Sequence, residues 1–220
     1  MPKAHIRRIY ATSGGWGACF ARMVHAIFPK RTALSPSALN ADIRHRMSFY
    51  GWPISQCQSL STPLAVQLRS GIRVIDVRLA VINGRLIAYH GIANQRTPFQ
   101  DILSTIHSFL NDPATARETV VMSIKQEDFK TTPPPTFSAA VHAEILESTG
   151  GMAMWFLENR IPNLGEVRGK VTMLSRFGGN GAGWENGLEG MGIHPTTWPD
   201  SLKSGFSYQL KDTLVRMHDW

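Results

Sequence analysis

Asp76 and Arg78 stand two residues apart in the apolar run Ile72–Leu79. Side chains alternate faces along a strand, so the carboxylate and the guanidinium project to one side with Val74, while Ile75, Val77 and Leu79 project to the other. An ion pair at this spacing serves structure as readily as chemistry. Twelve residues after Arg78 comes His90, at the end of an apolar return segment and followed by Gly91, which permits close backbone approach. Lys125 closes a second apolar segment, Thr119–Ile124, and Arg176 follows a third, Val171–Leu174. In parallel α/β folds catalytic side chains gather at the carboxyl ends of strands, so one ring could hold Asp76, Arg78, His90, Lys125 and Arg176. Cationic donors stabilise charge on phosphoryl oxygens and an imidazole shuttles a proton, so such a ring suits a phosphodiester.

The elements that must position this ring are legible as alternating strand and helix patterns from Met47 onward, the organisation of an α/β fold with a largely parallel sheet. Leu60, Leu64 and Leu68 recur at helical spacing before Gly71, a natural stop. The Asn83-Gly84 pair predicts a tight hairpin after the Asp76 strand. Pro98–Leu110 carries Phe99, Ile102, Leu103, Ile106, Phe109 and Leu110 on one helical face, with Thr97 the expected cap. The triple proline 133–135 leads into a helix over 136–148 that ends before Gly150-Gly151. The glycine-rich stretch 177–192 reads as a surface loop, and residues 207–210 and 213–217 read as a last pair of strands.

Composition narrows the classes. The chain has 220 residues, 43% hydrophobic and 18% charged, enough apolar content for one sizeable core. No run of about 18 apolar residues occurs, so no transmembrane helix is expected. The net charge of +7 is concentrated in residues 1–46, where eight basic residues face Asp42 alone; the rest balances, 15 basic against 15 acidic. This predicts a basic, poorly ordered N-terminal extension over 1–46 and a neutral domain over 47–220. A nucleic-acid partner is not expected of such a domain. Cys19 and Cys57 are too few for a disulfide scaffold and leave the compartment open, cytoplasmic or secreted, with any lipid contact peripheral.

The run from Trp52 to Glu127 resembles the X domain of phosphatidylinositol-specific phospholipase C, particularly its bacterial and fungal forms. The resemblance rests on Gln58, Gln67-Leu68, Gly71-Ile72-Arg73-Val74-Ile75-Asp76-Val77-Arg78, Tyr89-His90-Gly91, Phe109-Leu110 and Met122-Ser123-Ile124-Lys125-Gln126-Glu127 in that order. It implies a TIM-type (β/α) barrel that cleaves an inositol phospholipid in two stages. One histidine takes the proton of the inositol 2-hydroxyl, which attacks phosphorus, and a second protonates the departing diacylglycerol oxygen. By position His90 looks like the second histidine, Arg78 like the phosphate-contacting arginine and Asp76 like its orienting carboxylate. Lys125 and Arg176 resemble pocket residues that hold phosphate or inositol hydroxyls. Asp219 resembles an acid that contacts the inositol ring. Arg78 supplies fixed charge where calcium-dependent relatives place acidic ligands, so the metal-free branch is the better match, with calcium not excluded and no other cofactor expected.

The sequence also departs from the family. The first histidine belongs to a Gly-Thr-His segment on the first barrel strand, and no such segment occurs here. His45 is close to the required place but flanked by Arg44 and Arg46. Either His45 substitutes as the base, or the first strand is altered or missing and the basic arm is foreign text. A TIM barrel takes about 250 residues, so the closing units are also expected to be missing. The expected function is a phosphoric diester hydrolase acting on phosphoinositide at a membrane surface, impaired if the base is lost. The alternatives are a non-catalytic phosphoinositide-binding pseudoenzyme and a glycerophosphodiester phosphodiesterase.

Overall fold

A computed structural model describes residues 7–11, 63–91, 93–128, 130–195, 197–199 and 205–219. Its larger sheet has six strands in the order β4-β3-β2-β5-β7-β6. These are β2 (Val74–Ile82), β3 (Arg85–His90), β4 (Ala93–Pro98), β5 (Val120–Gln126), β6 (Trp155–Phe156) and β7 (Val171–Arg176). Strands β2, β5, β7 and β6 run parallel. The β3 and β4 strands return antiparallel on the outer side of β2.

The Asn83-Gly84 turn closes the first return as the sequence predicts, with φ of 50° and 76°, the left-handed pair that a two-residue hairpin needs. The β4 strand, rich in polar side chains, has no apolar alternation to announce it; it is formed by pairing with β3 across an irregularity between Ile87 and Tyr89.

Helix α1 (Leu64–Arg69) precedes β2, helix α2 (Phe99–Asn111) precedes β5, and helix α3 (Pro134–Glu147) follows β5. The α2 helix buries Phe99, Leu103, Ile106, Phe109 and Leu110, an apolar stripe at helical spacing facing the sheet. Thr97 does not cap it: Pro98 takes that position with no side-chain bond, and the Thr97 hydroxyl donates to the Gln95 carbonyl at 3.3 Å. Pro133 and Pro134 start α3 early, since a proline ring has its φ already set for a first helical turn. The main core lies between these helices and the sheet and includes Leu68, Phe99, Ile106, Met122, Ile124, Phe137, Val141 and Met173.

The glycine-rich stretch is not a surface loop throughout. Phe177, Trp184 and Met191 are buried in the main core, and the Phe177 ring meets Phe137 edge-on at 5.5 Å. At Gly183, with φ at +83°, a Cβ would meet the Pro135 carbonyl oxygen at 2.1 Å. Gly183→Ala therefore has to strain the backbone and push the loop off the start of α3. A loss of about 2–3 kcal/mol in urea unfolding is expected, and a loss under about 0.5 kcal/mol would show that the loop is not seated on the helix.

Three strands make a second sheet, in the order β1-β9-β8: β1 (Arg7–Ala11), β8 (Phe206–Leu210) and β9 (Thr213–Asp219). The β8–β9 hairpin confirms the last predicted strand pair. Five residues of the basic arm thus pair with the end of the 47–220 domain, Arg7 opposite Asp219 and Ala11 opposite Val215. A smaller apolar cluster of Leu174, Ile193, Leu210, Val215 and Met217 links this sheet to β7. Among the described residues no helix is long and apolar enough to cross a membrane.

Candidate active site

Parallel pairing decides which side chains stand at the same height. Asp76 pairs with Ser123, and Arg78 pairs with Lys125, which pairs in turn with Arg176. Residues paired across a sheet share a face with their i ± 2 neighbours, so Asp76, Arg78, Ser123, Lys125 and Arg176 converge at the carboxyl ends of β2, β5 and β7. Four of the five residues expected in the ring are therefore gathered by register.

Asp76 is the hub. Its Oδ2 accepts from Arg78 Nε at 2.9 Å, and its Oδ1 accepts from the Ser123 hydroxyl at 2.8 Å and from Arg176 Nη1 at 3.4 Å. On its other side Arg78 donates through Nη1 to Glu127 Oε1 at 3.1 Å. The Arg78 side chain is 20% exposed and that of Glu127 only 7%. Burial alone would lower the Arg78 pKa, but the Asp76 and Glu127 carboxylates outweigh it and the net shift is upward. The guanidinium is a permanent, fixed positive charge.

Arg176 is more enclosed than expected for a group that grips a ligand. Its side chain is 2% exposed, and its guanidinium carbon lies 3.9 Å from the centre of the Trp198 ring. The sequence predicts three cations and His90 around a single carboxylate, Asp76, and the structure adds Glu127. The observed site interleaves three cations with two carboxylates, because each buried guanidinium needs an anion beside it. Ser123, Glu127 and Trp198 were not assigned roles from sequence. Alternation would have found the first two, which lie two residues on either side of Lys125; Trp198 comes from a distant segment and carries no local signal.

His90 is the last residue of β3, half-buried and paired with Ala93. The β2–β3 ladder reaches Leu79↔Ala88. That ladder stops two residues short of His90, so register gathers the other four members of the expected ring but not His90. Asp219 lies on β9 of the smaller sheet, two residues beyond Met217, which shares an apolar cluster with Leu174. His45 lies outside the described residues. The acidic groups nearest Arg78, Asp76 and Glu127, both hold its guanidinium, and among the described residues no three His, Cys, Asp or Glu side chains cluster as metal ligands.

Behind the site, on the residue of β7 just before Arg176, the buried Ser175 hydroxyl lies 2.8 Å from His194 Nδ1, and His194 Nε2 lies 2.9 Å from the Gly179 carbonyl. Burial pushes the His194 pKa down, against the opposite pull of the Gly179 carbonyl and Ser175. The unfolded histidine titrates near 6.5, so the folded protein prefers the neutral ring and loses stability as pH falls below that value toward the folded pKa. Wild type should therefore lose unfolding free energy relative to His194→Gln between pH 7.5 and pH 5, and parallel curves would exclude His194 as the titrating group.

These elements define a β/α-barrel protein with its polar constellation at the carboxyl ends of parallel strands, where barrels of this kind carry their chemistry. Residues 52–176 match the phosphatidylinositol-specific phospholipase C, X domain. The chain belongs to that family. Over 130 residues it is 31% identical to the 1-phosphatidylinositol phosphodiesterase of Listeria monocytogenes, covering 56% of this chain and 37% of that protein. It superposes on the N254Y/H258Y double mutant of phosphatidylinositol-specific phospholipase C from Staphylococcus aureus with a TM-score of 0.55 at 23% identity, covering 70% of this chain and 50% of the other. A second S. aureus structure, from work on membrane binding by the same protein, gives a TM-score of 0.55 at 22% identity with the same coverage. The shared fold is the TIM-type barrel, of which the described strands form an open arc. The chain thus spans about 37% of the Listeria protein and half of the S. aureus chains.

Proposed function

We propose that this chain carries the phosphodiester-cleaving site of a phosphatidylinositol-specific phospholipase C, acting on an inositol phospholipid at a membrane surface. Its products are diacylglycerol and a cyclic inositol phosphate that water then opens. The observation that carries the reading is Arg78, held by Asp76 and Glu127 at the height of Lys125. A pre-aligned guanidinium and an ammonium can stabilise charge as it grows on the phosphoryl oxygens without reorganising. The site needs no resident metal in this reading, because Arg78 supplies the fixed charge. In the family scheme, attack of the inositol 2-hydroxyl on phosphorus forms the ring P–O bond while the bond to the diacylglycerol oxygen breaks. The proton from the 2-hydroxyl goes to a base, and the leaving oxygen takes one from His90. Arg176 orients Asp76, and Asp219 contacts the inositol ring.

One feature of the sequence favours a second reading: it has no Gly-Thr-His segment to furnish the first histidine, so the chain would hold an inositol phosphate headgroup without cutting it. The 220-residue protein, given vesicles of phosphatidylinositol in phosphatidylcholine, separates the two. Release of water-soluble inositol phosphate, abolished in Arg78→Ala, supports cleavage. Vesicle binding that depends on phosphatidylinositol but releases nothing supports the binding protein, and neither release nor binding rejects both.

A further inference from the structure

Ser175 and His194 form a buried polar pair that the reaction scheme does not use. Ser175 is 0% exposed and His194 5%, so neither can meet a substrate. The arrangement is nonetheless fully determined. A carbonyl only accepts, so the His194 Nε2 facing Gly179 carries the proton, and Nδ1 of the neutral ring accepts from the Ser175 hydroxyl. The His194 backbone N–H donates to Asn159 Oδ1 at 3.1 Å. One imidazole thereby ties β7, the start of the glycine-rich stretch and the segment after β6.

The neighbours of the pair connect it to the site. Ser175 directly precedes Arg176, and His194 lies four residues before Trp198, whose ring covers the Arg176 guanidinium at 3.9 Å. Just ahead of these two links the same segments are joined by backbone bonds, from Ser175 N–H to the Ile193 carbonyl at 2.9 Å and from Ile193 N–H to the Met173 carbonyl at 2.9 Å. The Ser175–His194 bond and the Arg176–Trp198 stack are successive rungs between β7 and the returning segment. Arg176 in turn donates to Asp76, which holds Arg78.

We infer that Ser175 and His194 are positioning residues: their hydrogen bond sets the segment bearing Trp198 against β7, and so fixes the Arg176 guanidinium between the Trp198 ring and the Asp76 carboxylate. Ser175→Ala removes the donor and almost no volume; His194→Phe keeps a ring and removes both bonds. The inference deepens the proposed function, since the group it positions belongs to the proposed phosphate site, but its first readout needs neither ligand nor turnover.

In the full 15N-labelled chain the Arg176 Nε–Hε resonance, assigned by its loss in Arg176→Lys, should be displaced by the ring current of Trp198. It should move toward the position of an exposed arginine in Ser175→Ala and in His194→Phe. Affinity for inositol monophosphate should fall about three- to tenfold in Ser175→Ala, the effect of losing one hydrogen bond behind the site. An unmoved Arg176 resonance in Ser175→Ala overturns the inference even if the variant melts lower, because the pair then only supports the fold. A moved resonance in a protein that never binds inositol monophosphate upholds the positioning and rejects the proposed function instead. Should His194→Phe fail to fold, Ser175→Ala decides alone.

Discussion

Asp76→Ala is expected to lower the free energy of unfolding by about 3–5 kcal/mol, the range seen when one partner of a buried ion pair is removed. The carboxylate accepts from Arg78, Ser123 and Arg176. Alanine takes a shared carboxylate away from two guanidiniums, one 20% and the other 2% exposed, while Glu127 stays beside Arg78. The Arg176 charge is the costlier of the two, because so little water reaches it. Asp76→Asn keeps an oxygen for Ser123 and one guanidinium but gives up the charge, so it should fall between wild type and alanine. Urea unfolding of the three proteins, with the denaturant dependence unchanged, checks the order. A loss under 1 kcal/mol in Asp76→Ala would mean that solvent screens the hub and that Arg78 does not depend on it for its orientation.

His90→Ala is expected to cut turnover of phosphatidylinositol by on the order of 10²–10⁴-fold, the usual contribution of a positioned general acid. A diacylglycerol oxygen leaves poorly unless it is protonated as its bond to phosphorus breaks. A nitrophenolate leaves without that help, so on an inositol phosphodiester of nitrophenol the variant should recover most of its rate. Affinity for inositol monophosphate should stay within about threefold of wild type, since the grip is assigned to Arg78 and Lys125 rather than to the imidazole. Turnover within tenfold of wild type on both substrates would remove His90 from proton transfer. An equal loss on both would make it a binding or structural residue, at odds with its position at the end of β3 beside Gly91.

Much of the framework could be read from local patterns. The α2 stripe, the Asn83-Gly84 hairpin, the apolar strands around Asp76 and Lys125 and the final β8–β9 pair depend on periodicity and turn chemistry, and the structure has each close to its expected place. Reading was poorer where tertiary packing overrides local character. The stretch 177–192 is rich in glycine, which locally means a loop, yet Trp184 and Met191 anchor it in the core, and the close approach at Gly183 is what a side chain would prevent. Strand β4 is polar and exists through pairing alone. Thr97 has a capping side chain, but the chain enters α2 through Pro98, and the hydroxyl turns back to its own strand.

The same division runs through the site. Alternation within one strand was enough to make Asp76 and Arg78 neighbours on one face, and the ordered motifs from Trp52 to Glu127 were enough to indicate the family. Only the fold could bring Ser123 to Asp76 across 47 residues of chain and Arg176 to it across 100. Those contacts depend on strand register, and register is settled by the helices and core on the far face of the sheet rather than by the residues that meet at the site. For the same reason the balance of charge was decided in three dimensions. A list of residues can name the cations, whereas the cost of enclosing each guanidinium determines that Asp76, Glu127 and the face of Trp198 stand against them.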